Sequence, residues 1–489
     1  MHKTGIRFNR KDFEYDVYSL VRAFYPHSDT EMYYEGEEPA GEYELLLLVT
    51  YRKDGIGLEI LRDGETVLQR EAPVDYDRDR QETKNVLKRL VYGSLKELTG
   101  ISLPWGDLTG IRPTKIPMKL LEEGWKNTQI ADYMRRTYQV SDTKCALAIT
   151  IANRERAILQ QFDYEKGWSL YVGIPFCPSI CLYCSFGSHP LDRWKKRVDE
   201  YLDALIRELA FIRDQMAGRP LHSVYIGGGT PTTLTPEQSR RLLGAIQELF
   251  DLSQVREYTV EAGRPDTITR EKLQVLRQFP VSRISINPQT MNQKTLDLIG
   301  RKHTVEDVTE IFHMARELGF DNINMDLIVG LPGEGEAEVA NTLSQVEQLG
   351  PDSLTVHSLA LKRATRLNLF KDQYEEISFE NSAAIMDKTQ ECARRMGMGP
   401  YYLYRQKNIA GNFENVGYAR PGCEGLYNIL IMEEKQSIIA AGAGASTKFV
   451  FDGGRRIERA ENVKSVDQYI SRLDEMMERK RAGIEAYIK

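Results

Sequence analysis

The spacing of apolar residues changes character three times along this 489-residue chain. Up to about residue 75, short β-rich runs predict strands over 44–51, 57–61 and 66–71, with Arg62-Asp-Gly-Glu65 as a hairpin turn. Apolar residues then recur at three- and four-residue steps, predicting helices over 85–99, 113–123, 127–138 and 141–161. The stretch Leu108-Thr-Gly-Ile-Arg-Pro-Thr-Lys115 joins two of them. From about 168, six β-rich runs (169–173, 223–227, 257–261, 283–287, 322–328 and 353–358) alternate with helical patterns over 193–216, 236–250, 270–279, 305–318 and 336–349. This alternation predicts an α/β fold of parallel strands with right-handed crossovers. Six units are too few to close an eight-fold barrel, so an open, partial (β/α)6 barrel is expected. The last stretch predicts a helix over 378–396, a loop over 411–425, segments at 427–434 and 438–441, the tight Gly442-Ala-Gly-Ala445 and a final helix from 466. The predicted domains are 1–75, a small mixed module; 76–165, a helical accessory region; 166–375, the partial barrel; and 376–489, a substrate-covering region.

Polar and glycine residues fall at the predicted strand ends: Cys177 onward, Gly227 to Thr230, Glu261, Asn287 to Gln289, Asp326 and His357. In parallel α/β barrels the C-terminal strand ends form the active-site face. Any one of these residues fits a local turn or cap; six around one mouth predict a site.

Composition narrows the setting. A hydrophobic fraction of 41% and a charged fraction of 28% are those of a globular protein. The apolar runs are strand-sized, and the first residues lead into a charged segment rather than an apolar targeting core, so a cytoplasmic protein off the membrane is expected. The net charge of −6 carries no basic footprint for nucleic acid, and the cations at 193–197 read as a solvated face. A monomer is the default expectation. Six cysteines in 489 residues are too sparse for a disulfide framework.

Three of those cysteines stand together in Tyr171-Val-Gly-Ile-Pro-Phe-Cys177-Pro-Ser-Ile-Cys181-Leu-Tyr-Cys184. Their C-x3-C-x2-C spacing fits three thiolate ligands to a four-iron cluster with one iron left open for a small molecule. A ferredoxin-type cluster would take a fourth cysteine, and Phe186 stands at the nearest place for one. A Cys3His zinc site with His189 is the other chemistry these residues allow, and a chance grouping remains open. Cys145, Cys392 and Cys423 read as plain thiols. Gly227-Gly-Gly-Thr-Pro231 after a predicted strand is either a turn or a place where backbone groups approach a ligand.

This motif resembles that of the radical S-adenosylmethionine (SAM) superfamily, and Tyr-x-x-Ile-Pro-Phe-Cys resembles the anaerobic coproporphyrinogen oxidase group. Over nearly its full length the chain looks most like the HemZ-type coproporphyrinogen dehydrogenases. The resemblance implies a radical SAM partial barrel with an N-terminal mixed α/β and helical extension and a C-terminal α+β region. It implies one [4Fe-4S] cluster on Cys177, Cys181 and Cys184, and two SAM molecules. By family register Tyr171, Tyr183, Gly228, Gly229, Thr230 and Glu261 surround SAM. Gln289, Arg301 and Asp326 match positions around a second SAM, with Ala360 an apolar wall; Tyr171, Glu261 and Arg301 are the expected catalytic set. The implied reaction is oxidative decarboxylation of two propionates of coproporphyrinogen III, a tetrapyrrole, with a flavodoxin- or ferredoxin-type electron donor. Arg264, Lys362, Arg363 and Arg405 are candidates for the substrate carboxylates by position alone. Two positions depart from the oxidase pattern: Phe186 replaces a further cysteine, and Gly173 stands where the oxidases have histidine. Related haem chaperones also lack that cysteine but carry a His-Asn-x-x-Tyr-Trp signature, where this chain has Tyr427-Asn-Ile-Leu-Ile-Met432. A haem carrier, a radical methyltransferase and a haem-degrading enzyme are the alternatives on the same scaffold.

Overall fold

The computed structural model describes residues 3–26, 28–37, 41–76, 79–185, 187–360, 381–406 and 413–488. Phe186, Lys362 and Arg363 lie outside the described residues. The chain forms two units, Met1–Asn153 with Tyr404–Glu414, and Arg154–Leu403 with Asn415–Lys489.

The first unit is built on five strands: β1 (Lys3–Phe8), β2 (Asp29–Tyr34), β3 (Leu45–Tyr51), β4 (Gly55–Arg62) and β5 (Glu65–Pro73), in the order β2-β1-β3-β4-β5. Strand β1 runs parallel to β2 and β3, and β3, β4 and β5 are antiparallel neighbours. Along β3, Leu45, Leu47, Val49 and Tyr51 are buried and the residues between them are half-buried, the two-residue period of a strand with one face on a core. Asp63 and Gly64 both take positive φ, 50° and 83°, in the two-residue turn of the predicted hairpin. Strands β1 and β2 and the helix Glu14–Phe24 between them were not predicted, because charges interrupt their apolar runs. Helices Arg80–Thr99, Lys115–Glu122 and Asn127–Tyr138 fall close to expectation. Asp79 caps the first by accepting the Gln81 N–H, and Gly100 at φ 71° ends it.

In the second unit the six predicted strands are β6 (Trp168–Ile174), β9 (Leu221–Gly228), β10 (Glu257–Gly263), β11 (Arg283–Ile286), β12 (Ile323–Val329) and β13 (Ser353–Ser358). Each pairs in parallel with the next. Short strands β7 (Phe176–Cys177) and β8 (His189–Pro190) pair beside β6. The C-terminal region adds β14 (Gly399–Tyr404), β15 (Asn415–Ala419), β16 (Ser437–Ala441), β17 (Ser446–Phe451) and β18 (Arg456–Glu461). The sheet order is β14-β15-β13-β12-β11-β10-β9-β6-β16-β17-β18. Strand β16 is parallel to β6, so a seventh parallel strand extends the barrel sheet at its first edge. Residues 415–419, expected within a loop, form β15, wholly buried and antiparallel to β13. The expected helix over 193–216 is broken by a 3₁₀ turn at Lys195–Arg197 before Val198–Gln215. The final helix is likewise two, Val466–Ser471 and Leu473–Tyr487.

The crossover helices start where the sequence caps them. Thr235, Thr269 and Thr304 each accept an N–H three residues on. Strands β11 and β16 are buried at every residue, as strands covered on both faces must be. A buried carboxylate ties the C-terminal helix to the sheet. Glu208 accepts from Lys480 Nζ at 2.5 Å, Tyr469 OH at 2.6 Å, the Gly442 N–H at 2.8 Å and Asn462 Nδ2 at 2.9 Å. Gly442 takes φ 107°, and a Cβ there would lie 2.5 Å from the Gly173 carbonyl oxygen. The tight contact that Gly442-Ala-Gly-Ala445 permits is therefore with the end of β6.

Candidate active site

The cysteine loop leaves β6 and lies against the end of β9. The Gly229 N–H donates to the Ile174 carbonyl at 2.7 Å and the Thr230 N–H to the Phe176 carbonyl at 2.8 Å. A Cβ on Gly229 would stand 2.6 Å from the Phe176 oxygen, and one on Gly228, itself at φ 113°, 3.0 Å from the Ile174 oxygen. The backbone that these glycines let approach is thus that of the cysteine loop itself. Gly173 is not forced in the same way: a Cβ there would meet its nearest atoms at 3.4 Å.

Cys177 and Cys181 are buried, Cys184 is half-buried, and none forms a disulfide. The Thr230 hydroxyl lies 3.5 Å from Cys177 Sγ, and Arg264 Nη1 donates to Cys181 Sγ at 3.4 Å. Burial pushes the Cys177 thiol up, opposed by Thr230, Ser188 and the Arg264 charge. Arg301 is buried; its Nη2 donates to Tyr183 OH at 3.0 Å and its Nη1 to the Asn287 carbonyl at 2.7 Å. Among the described residues no three His, Cys, Asp or Glu side chains converge on a metal-sized cage. The fit of this loop to an iron–sulfur cluster rests on its three thiols, the burial of Cys177 and Cys181, and the two guanidinium groups beside the loop. His189, which a zinc site would need, instead places Nε2 3.1 Å from the Lys464 carbonyl oxygen and sets its ring edge-on to Trp194.

Inside the barrel, register makes Tyr171 and Tyr225 neighbours, and their rings stack with centroids 6.2 Å apart. Tyr427 lies on Tyr225 at 4.4 Å. Its helix, Leu426–Glu433, is set by Glu257, which accepts the Leu426 and Tyr427 N–H groups. Tyr225 OH donates to Glu261. Burial pushes the Glu261 carboxyl up to about 7, with Tyr225 opposing and Asp326 adding to the rise. Burial also opposes the charge of Asp326, but His357, Asn324 and Arg283 hold its carboxyl below the usual range. Asp326 accepts from Asn324 at 2.7 Å and stands 3.9 Å from His357 Nε2.

At the end of β11, Gln289 takes φ 70°. Gln289 Oε1, Asn287 Oδ1 and Arg301 Nε are buried without hydrogen-bond partners. Three such groups at one strand end are a polar surface with unmet capacity, which a polar ligand would fill. Ala360, just past β13, is half-buried.

The expected site residues thus fall into neighbouring groups. Tyr171 and Glu261 both neighbour Tyr225; Thr230 lies against Cys177, and Arg301 against Tyr183 of the same loop; Asp326 sits on β12, and Gln289, just past β11, donates its N–H to the Asp326 carbonyl at 3.0 Å. Two candidates for substrate carboxylates are placed otherwise. Arg264 is buried and forks onto Asp266 through Nε at 2.9 Å and Nη2 at 2.7 Å. Arg405 belongs to the first unit, where it is buried, donates to the Leu108 carbonyl and lies over Trp105. Tyr225 was not among the expected site residues, although its place two residues before Gly227 puts it on the same strand face. Tyr427, on a helix outside the repeating units, carried no comparable signal.

A sequence profile of the Radical SAM superfamily matches residues 171–346. Over 471 residues the chain is 38% identical to the oxygen-independent coproporphyrinogen-III oxidase-like protein HemZ of Bacillus subtilis, covering 94% of this chain and 93% of that protein. The heme chaperone HemW of the same organism is 32% identical over 317 residues, 63% of this chain and 76% of the chaperone. Among solved structures, the radical SAM enzyme coproporphyrinogen III oxidase (HemN) of Escherichia coli matches with a TM-score of 0.52 and 26% identity, over 66% of this chain and 72% of that one. Among the described residues no helix is long and apolar enough to cross a membrane.

Proposed function

We infer the activity from one premise: the chain belongs to the radical SAM superfamily, in its oxygen-independent coproporphyrinogen oxidase-like group. On that basis it oxidatively decarboxylates two propionates of coproporphyrinogen III to vinyl groups, giving protoporphyrinogen IX. The observation that carries this reading is the 38% identity to the HemZ protein across 94% of the chain, well beyond the barrel alone.

Cys177, Cys181 and Cys184 would hold a [4Fe-4S] cluster, which when bound supplies reductive cleavage of SAM to methionine and a 5′-deoxyadenosyl radical. Tyr171, Tyr183, Gly228, Gly229 and Thr230 would line SAM, and the Glu261 carboxylate would accept from its ribose hydroxyls. A planar fork suits a carboxylate, so Arg301, whose Nε has no partner, would with Gln289 and Asp326 hold a second SAM, against Ala360. Each propionate would lose one hydrogen atom from the carbon next to the ring to that radical. Carbon dioxide then leaves, one electron passes to a one-electron acceptor, and a vinyl group remains. A flavodoxin- or ferredoxin-type protein supplies the electron that starts each cleavage.

The 32% identity to a heme chaperone and the absence of a cysteine at Phe186 favour a haem carrier as second reading. Against it, the helix Leu426–Glu433 has no histidine, and Tyr427 is stacked on Tyr225. The test is anaerobic incubation of the reconstituted protein with SAM, a reductant and coproporphyrinogen III, with products identified by mass. Two decarboxylations with release of deoxyadenosine support the proposal. Deoxyadenosine with unchanged porphyrinogen defeats it, and stoichiometric haem binding without turnover favours the carrier.

A further inference from the structure

We propose that Arg264 is a tuning residue for the cluster, a cationic hydrogen-bond donor to the Cys181 sulfur that raises the reduction potential of the group those cysteines hold. This rests on the reading of Cys177, Cys181 and Cys184 as cluster ligands, but not on the identity of the substrate. Arg264 is 3% exposed and follows Gly263, whose φ of 60° turns the chain at the end of β10. Its Nε and Nη2 are taken by Asp266, at 2.9 and 2.7 Å. That fork fixes the plane of the guanidinium and leaves Nη1 as the end that reaches the cysteine loop. Nη1 lies 3.0 Å from Ser179 Oγ, 3.1 Å from the Ser179 carbonyl oxygen and 3.4 Å from Cys181 Sγ. A substrate carboxylate would find every nitrogen of Arg264 already engaged.

Hydrogen bonds to the sulfurs and local charge are among the main determinants of iron–sulfur potentials. The step concerned is uptake of one electron from a low-potential one-electron carrier, which takes the cluster from the 2+ to the 1+ state and leaves more negative charge on its sulfurs. Arg264 favours the reduced form because its N–H meets that added charge directly. The Ser179 contacts keep the loop, and with it Cys181, at that distance.

The test is a redox titration of the reconstituted chain followed by electron paramagnetic resonance, with dithionite and mediators and with neither SAM nor porphyrinogen present. Arg264→Gln is expected to shift the reduction equilibrium about tenfold toward the oxidised form, about 59 mV lower for one electron. Arg264→Lys, which keeps the charge but not the fork, is expected to shift it about threefold, about 28 mV. Equal potentials for wild type and Arg264→Gln at equal iron content overturn the inference. If Arg264→Gln does not retain iron, the lysine variant decides, and a wild-type potential there overturns it. A wild type without a reducible cluster signal overturns both this inference and the cluster reading. A reducible cluster in a protein that leaves coproporphyrinogen III unchanged defeats only the proposed reaction.

Discussion

Adding one methyl group at Gly229 should unseat the cysteine loop. Its Cβ would stand 2.6 Å from the Phe176 carbonyl oxygen and 2.8 Å from the Pro175 carbonyl carbon, both backbone atoms, so no side chain can swing aside. Reaching an ordinary contact of 3.4 Å needs a separation of about 0.8 Å between the end of β9 and the loop. Such overpacking costs about 1–3 kcal/mol. The same separation stretches the Gly229 to Ile174 and Thr230 to Phe176 hydrogen bonds, 2.7 and 2.8 Å long, each worth about 1 kcal/mol. Gly229→Ala should therefore lose roughly 2–5 kcal/mol of stability. Because Phe176 precedes Cys177 directly, it should also bind less iron on anaerobic reconstitution. Gly244→Ala is the control: its Cβ would meet nothing within 4 Å in the helix Pro236–Leu249, and about 0.5–1 kcal/mol should be gained. The assay is urea denaturation of the metal-free variants, with iron and sulfide per chain after reconstitution. A Gly229→Ala protein with the midpoint and iron content of Gly244→Ala would refute the packing argument.

Asp107 in the first unit is wholly buried, and neither of its carboxylate oxygens accepts a hydrogen bond. Burial pushes its carboxyl up to about 6, against Lys88 and Arg89. A raised folded-state value contributes stability below pH 4 that is lost as pH rises through 6, so Asp107→Asn should gain about 3 kcal/mol on wild type between pH 4 and 7; parallel pH profiles from denaturation would exclude this. Glu208→Gln leaves Lys480, 1% exposed, with an uncompensated charge, and should cost about 3–5 kcal/mol, whereas Glu208→Leu with Lys480→Met should recover much of that. A double variant as weak as the single one would show that the hydrogen bonds to Gly442 and Tyr469 matter more than the charge pair. If the ionised Glu261 accepts the SAM ribose hydroxyls, SAM affinity measured by calorimetry should fall about tenfold from pH 8 to pH 6, and Glu261→Gln should abolish that dependence. A wild-type affinity flat over this range would remove the ribose role.

The barrel strands were legible because each is a short, nearly continuous apolar run between helical patterns, the mark of a parallel strand covered on both faces. Strand β15 was not, because Gly411, Pro421, Gly422 and Gly425 around it read as a loop and its partner β13 is distant in sequence. The end of β16 shows a similar limit: nothing local says that residues 437–441 pair with β6, more than 250 positions earlier. At the site, the cysteine spacing and the strand-end polar residues could be listed from the sequence, but not the direction in which a side chain points. Arg264 illustrates this. Its position at a strand end suggested a role toward substrate, whereas Gly263 and the Asp266 fork turn it to Cys181. Glu257 is a second case, a carboxylate spent on the N-terminus of the helix that carries Tyr427.

In the proposed reaction a radical generated beside Cys177, Cys181 and Cys184 takes hydrogen from the propionates of a porphyrinogen. It is tested most directly by coproporphyrinogen III carrying deuterium on the propionate carbons next to the rings, incubated anaerobically with the reconstituted protein, SAM and a reductant. One deuterium in the 5′-deoxyadenosine is expected for each carbon dioxide released, and none of this with Cys181→Ala. Deoxyadenosine formed in the same incubation without deuterium would contradict it.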